Sequence, residues 1–359
     1  MLTLFLSTFA ILCPTHAQTP TVPQAGRYTV GIDLSYFETD ANFLAEGGTS
    51  QDLPGGAGFT HGNALFQFGY DWNRNWRSYA GTNVGYAESR SGTTSDDTTR
   101  TQVGLSDVFA GGQYWTRLGS VLLGPQVDFV YPVFRPDESA DEALIGEGAL
   151  TLRAGGWGYL RFQQFRPFIF AGYEYRDGGR SHLLPYRVGL EFHPTSEFYL
   201  QAEYRGYKSV TDDSDSNNRT PRDAYLVRVN GGSFRFYSVD PRLSEVALEG
   251  GYTFGVIGFK VGASMPLNGA SAADGWTGLI GLEYSPERQR SRGHESDGES
   301  GGRGGFRIRG EKYDESLFRE DERPKRSPPR HSKPKPVHKP RPKPNLEQML
   351  DETQLDLER

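Results

Sequence analysis

Taken two residues at a time, the chain alternates between greasy and polar positions. From Leu184 to His193 one face carries Leu184, Tyr186, Val188, Leu190 and Phe192, and the other Arg187, Gly189, Glu191 and His193. After Pro194-Thr195-Ser196 the alternation resumes, with Phe198, Leu200, Ala202 and Tyr204 set against Tyr199, Gln201, Glu203, Arg205 and Tyr207. A side-chain period of two is that of a strand, and a short break of turn-forming residues joins two strands into a hairpin. The same period recurs at 28–36, 63–72, 76–86, 102–116, 121–133, 147–162, 166–176, 244–254, 257–267 and 276–285, which predicts twelve strands in all.

The connections alternate as well. Gaps at 38–60, 88–100, 134–145, 177–183, 208–242 and 268–275 are long or polar, whereas those at 73–75, 117–119, 163–165, 194–196 and 255–256 are two or three residues. A soluble sandwich explains neither this rhythm nor the aromatic residues at both ends of the apolar faces. A membrane barrel explains both, with apolar residues toward lipid, aromatics at the two interfaces, short periplasmic turns and longer outside loops. The predicted fold is all-β: a transmembrane antiparallel up-and-down barrel over 18–285. Tyr225 to Val239 complicates the count. It holds two short runs around Asn230-Gly231, a favoured hairpin turn, but each arm is shorter than the ~9–11 residues a spanning strand needs. An external hairpin or a lumen-facing plug is expected there, with fourteen strands as the alternative.

Composition agrees with a barrel. The 359 residues include 19 Tyr and 22 Phe but only 3 Met, a balance that suits strands better than helices. Mean hydropathy is −0.60, and the long apolar run is confined to the N-terminus, which argues against a bundle of membrane helices. A net charge of −6 argues against nucleic acid as a partner. Residues 1–17 have the form of an export signal, with an apolar core from Leu2 to Cys13, a break at Pro14 and a small residue at Ala17. Cleavage there removes the single cysteine, so no disulfide framework is expected.

Past 285 the chain changes character. Residues 286–344 read as a disordered linker, and Arg323 to Pro344 holds nine Lys/Arg, eight Pro and no acid, which favours an extended polyproline spacer. Residues 345–359 read as a short acidic helix with an apolar stripe of Leu346, Met349, Leu350 and Leu357. Such a tail suggests docking to a periplasmic or cell-wall partner.

The candidate chemistry lies on the inward faces. Asp33, Asp71, Asp128, Arg153, Glu174, Arg187, Glu191, Glu203, Arg205, Glu249, Lys260 and Glu283 either line a water-filled pore or pair into networks that fill a narrow one. His61 and Ser181-His182 fall near the outer rim, where polar residues are commonplace, and no enzyme is expected. Asp213-Ser214-Asp215-Ser216-Asn217 opens like a calcium loop but has Asn218 where Gly is required and Ala224 where the closing Glu belongs, so it reads as a solvated acidic loop. Neither metal nor cofactor is expected; membrane lipid is.

Gly104 to Pro132, GLSDVFAGGQYWTRLGSVLLGPQVDFVYP, shows a G-x-x-D followed by a Gly-rich strand, a tight turn and another strand. Together with LEGGYTFGVIGFKVGASMPLNG and the closing TGLIGLEYS, it resembles the outer-membrane family named for the phenol meta-pathway, related in style to long-chain fatty-acid transporters. The resemblance implies a barrel of twelve to fourteen strands for passage of small, often hydrophobic compounds. The chain departs from that family after Ser285. Two functions follow: a channel or transport protein for small solutes, or an envelope interaction protein whose barrel anchors a docking tail.

Overall fold

Twelve long strands, apolar on one face and polar or small on the other, close into an antiparallel barrel. The computed structural model describes residues 23–286 except 46–47, 93–97, 161 and 163. In chain order the strands are β1 (Tyr28–Phe43), a short β2 (Ser50–Asp52), β3 (Gly58–Asp71), β4 (Trp76–Arg90), β5 (Thr99–Tyr114), a short β6 (Thr116–Leu118), β7 (Val121–Pro132), β8 (Thr151–Leu160), β9 (Phe165–Arg176), β10 (Leu183–Phe192), β11 (Phe198–Ser209), β12 (Arg242–Phe254), β13 (Ile257–Ala270) and β14 (Ala272–Tyr284). Each long strand pairs with its neighbours in sequence, β2 and β6 add at the edges of β1 and β7, and β14 returns to β1 from Val30↔Tyr284 to Phe43↔Ala272. Closure leaves no unpaired edge, so the strands satisfy their own backbone groups.

The outward face is apolar: Val127, Ile169, Leu248 and Val261 are each more than half exposed. Aromatic pairs mark two levels on it. At the short-turn end Tyr28 packs on Tyr284 and Phe68 at 6.4 Å, Trp76 on Tyr114 at 5.0 Å and Phe165 on Phe192 at 4.9 Å. Toward the long-loop end Tyr36 meets Trp276 at 5.8 Å and Tyr186 meets Tyr204 at 5.9 Å.

Several boundaries differ from the sequence reading. The loop expected at 268–275 is a single residue: β13 and β14 run on to meet at Ser271, whose φ is 48°. Small residues there, Gly269 to Ala273, carry no hydrophobic period to announce a strand. The strand expected at 102–116 stops at Tyr114, because Trp115 turns inward, held by Asn75 through backbone and side chain at 2.7 and 2.6 Å. Residues 147–150, expected as strand, precede β8 and fold over the mouth. Conversely, β1 runs to Phe43, through the start of the gap expected at 38–60.

The largest correction is at Tyr225–Val239. The segment is neither a hairpin nor a pair of spanning strands; its first part belongs to a helix, α1 (Thr220–Asn230). Pro221 stands in the first turn, Asp223 and Arg228 complement the helix dipole at its two ends, and Gly231, at φ 61°, ends the helix in the left-handed conformation. Asn-Gly serves a helix C-terminus as well as a hairpin, for the same reason: glycine costs little at positive φ.

Candidate functional site: the barrel interior

Because alternate residues of every strand point inward, the interior is built by twelve strands at once. Its contents are uneven. Along β8 and β9 it is filled by rings: Trp157, Tyr159, Phe168 and Phe170, with Trp115 from the end of β5, are each no more than 9% exposed. Trp157 lies 4.7 Å from Phe170 and 5.8 Å from Tyr159, which lies 5.8 Å from Trp115. Glycines on the neighbouring strands make the room: a Cβ at Gly124 or Gly189 would come within 2.5 Å of the Trp115 or Phe168 ring. The polar edges are partly satisfied, since Trp157 Nε1 and Gln113 Nε2 both donate to Gln126 Oε1 at 2.8 Å, and the Arg187 guanidinium covers Trp157 at 5.3 Å.

Two ion networks border the rings. In the first, Arg153 donates to Glu174 at 2.8 Å and lies 3.8 Å from Asp128, which also accepts from Tyr79 and Gln126. In the second, Arg187 donates twice to Glu203 at 2.9 and 3.0 Å, while Arg205 bridges Glu203 at 2.8 Å and Glu245. Register places Arg187 opposite Arg205, so these bonds run diagonally and keep the two cations apart. All of these groups but Tyr79 and Arg205 are buried. Buried pairs of this kind contribute little net stability when intact, but losing one partner costs about 3–5 kcal/mol.

The wall of β13, β14 and β1 is built differently. Lys260, Gly281 and Asp33 share one register across the three strands, and Lys260 reaches over the glycine to Asp33 at 2.8 Å. A Cβ at Gly281 would sit 2.3 Å from the Lys260 stem. The next inward register reverses the order: Gly258, Glu283, Gly31. Here Glu283 stands between two glycines, and a Cβ at Gly31 would meet nothing nearer than 3.8 Å. The Lys260 side chain keeps 22% of its exposure, against 6% for Arg153 and Arg187 beside the rings.

The remaining sequence-predicted charges fall near the short-turn end. Asp71 lies 3.6 Å from Arg77, Glu191 accepts from His193 at 2.9 Å and approaches Arg166 at 3.8 Å, and Glu249 accepts from Tyr199 at 2.5 Å. Glu283 joins no ion pair or side-chain hydrogen bond among the described residues. Leu346, Met349, Leu350 and Leu357, like the leader at 1–17, lie outside the described residues.

The long-loop mouth holds a plug. Tyr225, Leu226 and Val229 of α1, Ala143 to Ile145 and Phe236 pack as one buried cluster on the inward residues Phe37, Phe59 and Ala87. Polar contacts fasten it: Ser89 donates to the Val229 carbonyl at 2.6 Å, Asn42 to that of Gly232 at 2.7 Å, and Arg219 to Ser271 at 2.6 Å. The acidic loop before the helix is largely exposed, as expected, but Asp213 in it is buried. Arg222 lies between Asp213 at 2.8 Å and Asp215 at 2.5 Å, a guanidinium taking both carboxylates of the calcium-like motif. Burial alone would raise the Asp213 pKa, but the hydrogen bonds and charge of Arg222 outweigh it and hold the group below its usual 3.8. Arg180 stacks on Tyr237 at 4.0 Å and bonds Glu147 at 2.8 Å.

His61 is fully buried beneath the plug, 4.9 Å from Phe236, with neither ring nitrogen hydrogen-bonded. Ser181 is engaged by Arg176 and Ser209, and His182 by Tyr173, so Ser181 and His182 do not address each other. Among the described residues no cluster of His, Cys, Asp and Glu forms a metal site. A rim cleft between α1 and Ser91-Gly92 measures ≈ 220 Å³, below the ~300 Å³ at which ligand pockets begin. A plug was one of the two readings expected for this segment, but its helix and the latch residue Arg222 were invisible in the sequence, because an arginine nine residues after an aspartate announces nothing until a helix turns it back.

Closure, the apolar exterior and the two aromatic levels define an outer-membrane-type β-barrel of twelve strands with two short additions. Comparison with solved structures gives the same class. The chain is similar in fold to the COG4313 outer membrane channel from Pseudomonas putida F1, at a TM-score of 0.59 and 9% identity over 76% of this chain and 99% of that one. Weaker similarity extends to the KdgM porin (TM-score 0.40, 8% identity, 72% and 99% covered) and to the transport unit of the autotransporter AIDA-I from Escherichia coli (0.39, 13%, 76% and 93%). No protein-family model matches the sequence, and no curated protein matches it by sequence.

Proposed function

We propose that the chain is an outer-membrane channel for small solutes, with the short-turn end in the periplasm and the outer mouth closed by a displaceable plug. The observation that carries this reading is the wall of β13, β14 and β1. Charged side chains that keep part of their exposure, set between glycines, are what a narrow water-filled passage needs. A barrel built only to be solid has no reason to set a carboxylate without a side-chain partner between two glycines. The plug supports gating, because polar contacts from Ser89, Asn42 and Arg219 fasten it to the wall and Arg222 ties its helix to the preceding loop. The kinship with phenol meta-pathway barrels, suggested by the rhythm of 104–132, belongs to this proposal.

The test is conductance of the full chain in planar bilayers, before and after Arg222→Gln. Step currents are expected, with more frequent openings in the variant. Silence from both overturns the channel reading. It would favour the second reading, an envelope anchor, to which the ring-packed wall of β8 and β9 lends support. In that reading the segment after 285 docks a partner, and deletion of 323–359 changes what co-purifies with the barrel.

A further inference from the structure

We propose that Glu283 gives the inner half of this passage a preference for cations. The proposal rests on the channel reading and names the charge class of solute that it favours. Three observations converge on it.

First, Glu283 is the inward carboxylate without a partner among the described residues. The other acids at its level are engaged: Asp33 with Lys260, Asp71 with Arg77, and Glu249 with the Tyr199 hydroxyl. Second, no side chain of the neighbouring strands stands in its register. Its register neighbours on both sides, Gly31 and Gly258, have no side chain, and a Cβ on either would find its nearest atoms at 3.8 and 3.7 Å. A carboxylate so placed projects into the passage rather than into a side-chain network. Third, the local balance is acidic. Glu283 and Glu249 act electrostatically on Lys260 together with Asp33, and Glu283 also acts on Tyr199 and Asp71. Against these four carboxylates stand Lys260, Arg77 and Arg27, of which Arg27 is bonded to Ser285. One negative charge is left over, and it belongs to the group between two glycines. In a narrow passage with low-dielectric walls, one uncompensated charge raises the local concentration of the opposite ion and repels its own sign.

Elsewhere in the interior Arg187 and Arg205 face Glu203 and Glu245, two against two, and Arg153 faces Glu174 and Asp128, but these groups are tied into networks beside the rings. Glu283 stands outside such a network and is the residue that sets the selectivity of the passage.

The experiment is a reversal-potential measurement on the full chain in a planar bilayer under a tenfold KCl gradient, for the wild type, Glu283→Gln and Glu283→Lys, each also with Arg222→Gln to free the mouth. The wild type should pass potassium over chloride by about threefold or more at ~0.1 M salt, with a weaker preference near 1 M as screening shortens the reach of the charge. Glu283→Gln should bring the ratio close to one, and Glu283→Lys should favour chloride. Currents that are unselective, anion-selective, or cation-selective but unchanged by Glu283→Gln overturn the proposal while the channel reading stands. No current from any variant overturns the channel reading and this proposal with it.

Discussion

The two walls of the barrel interior use glycine for opposite ends. On β7 and β10, Gly124 and Gly189 lie under Trp115 and Phe168, so the missing side chain is filled by a ring from elsewhere. On β1 and β13, Gly31 and Gly258 lie beside a single carboxylate, and no ring packs over them: a Cβ there would meet its nearest atoms at 3.8 and 3.7 Å. The first arrangement makes a core, dense and intolerant of change, in which rings and networked charges exclude water. The second makes a lane. The difference teaches that inward polarity alone does not mark a passage: Arg187 and Glu203 are as polar as Lys260 and Asp33, yet the first pair is sealed and the second keeps contact with solvent.

The contrast predicts unequal costs. Trp157→Ala removes a ring that three others touch and should lower unfolding stability in lipid vesicles, measured by urea titration, by about 3–5 kcal/mol. Lys260→Ala, where the lysine keeps 22% of its side-chain exposure, should cost about 1–2 kcal/mol. Equal costs would erase the distinction between the walls. A smaller effect separates the glycines. Gly189→Val drives a side chain into Phe168 and should cost about 1–3 kcal/mol, whereas Gly31→Val should stay within about 0.5 kcal/mol of zero while narrowing the lane and reducing single-channel current.

The smallest predicted effect concerns the plug. With its pKa held below 3.8, Asp213 stabilises the latch above that value, and the contribution is lost as pH falls through the folded-state pKa. Opening should therefore be flat from pH 7 to about 5 and become more frequent below about pH 3.8, with a weaker acid response in Arg222→Gln. An acid response of the same size in both proteins would mean that other carboxylates hold the mouth.

Much of this was written in the period of the sequence. Alternation gave the twelve strands, loop rhythm gave an end of short turns and an end with most of the long connections, and inward positions gave the charges from Asp33 to Glu283. What escaped was whatever depends on partners far away in sequence. Lys260 meets Asp33 across a glycine of the intervening strand, a contact set by the closing register of β14 on β1 and not by spacing. Arg187 bonds Glu203 diagonally, although a reading by opposite positions would set it against Arg205. The helix α1 was hidden by its own composition, since Tyr225, Val227 and Val229 are strand formers and Asn230-Gly231 suits either ending. Which charges are sealed and which are wet follows from the rings, and nothing local to Trp157 or Phe168 says that they face each other across a strand pair.

Accessibility of the two walls from water tests the central claim most directly. In a Cys13→Ala background, Gly31→Cys and Leu122→Cys place one thiol on each wall of the barrel. Conductance is followed while a small charged methanethiosulfonate is added to the short-turn side of the bilayer. The lane described here predicts that the Gly31→Cys protein reacts and loses most of its current, while the Leu122→Cys protein, whose position is buried beside the rings, keeps its current unchanged. Block at Leu122→Cys with none at Gly31→Cys would put the passage on the wrong wall and contradict the account.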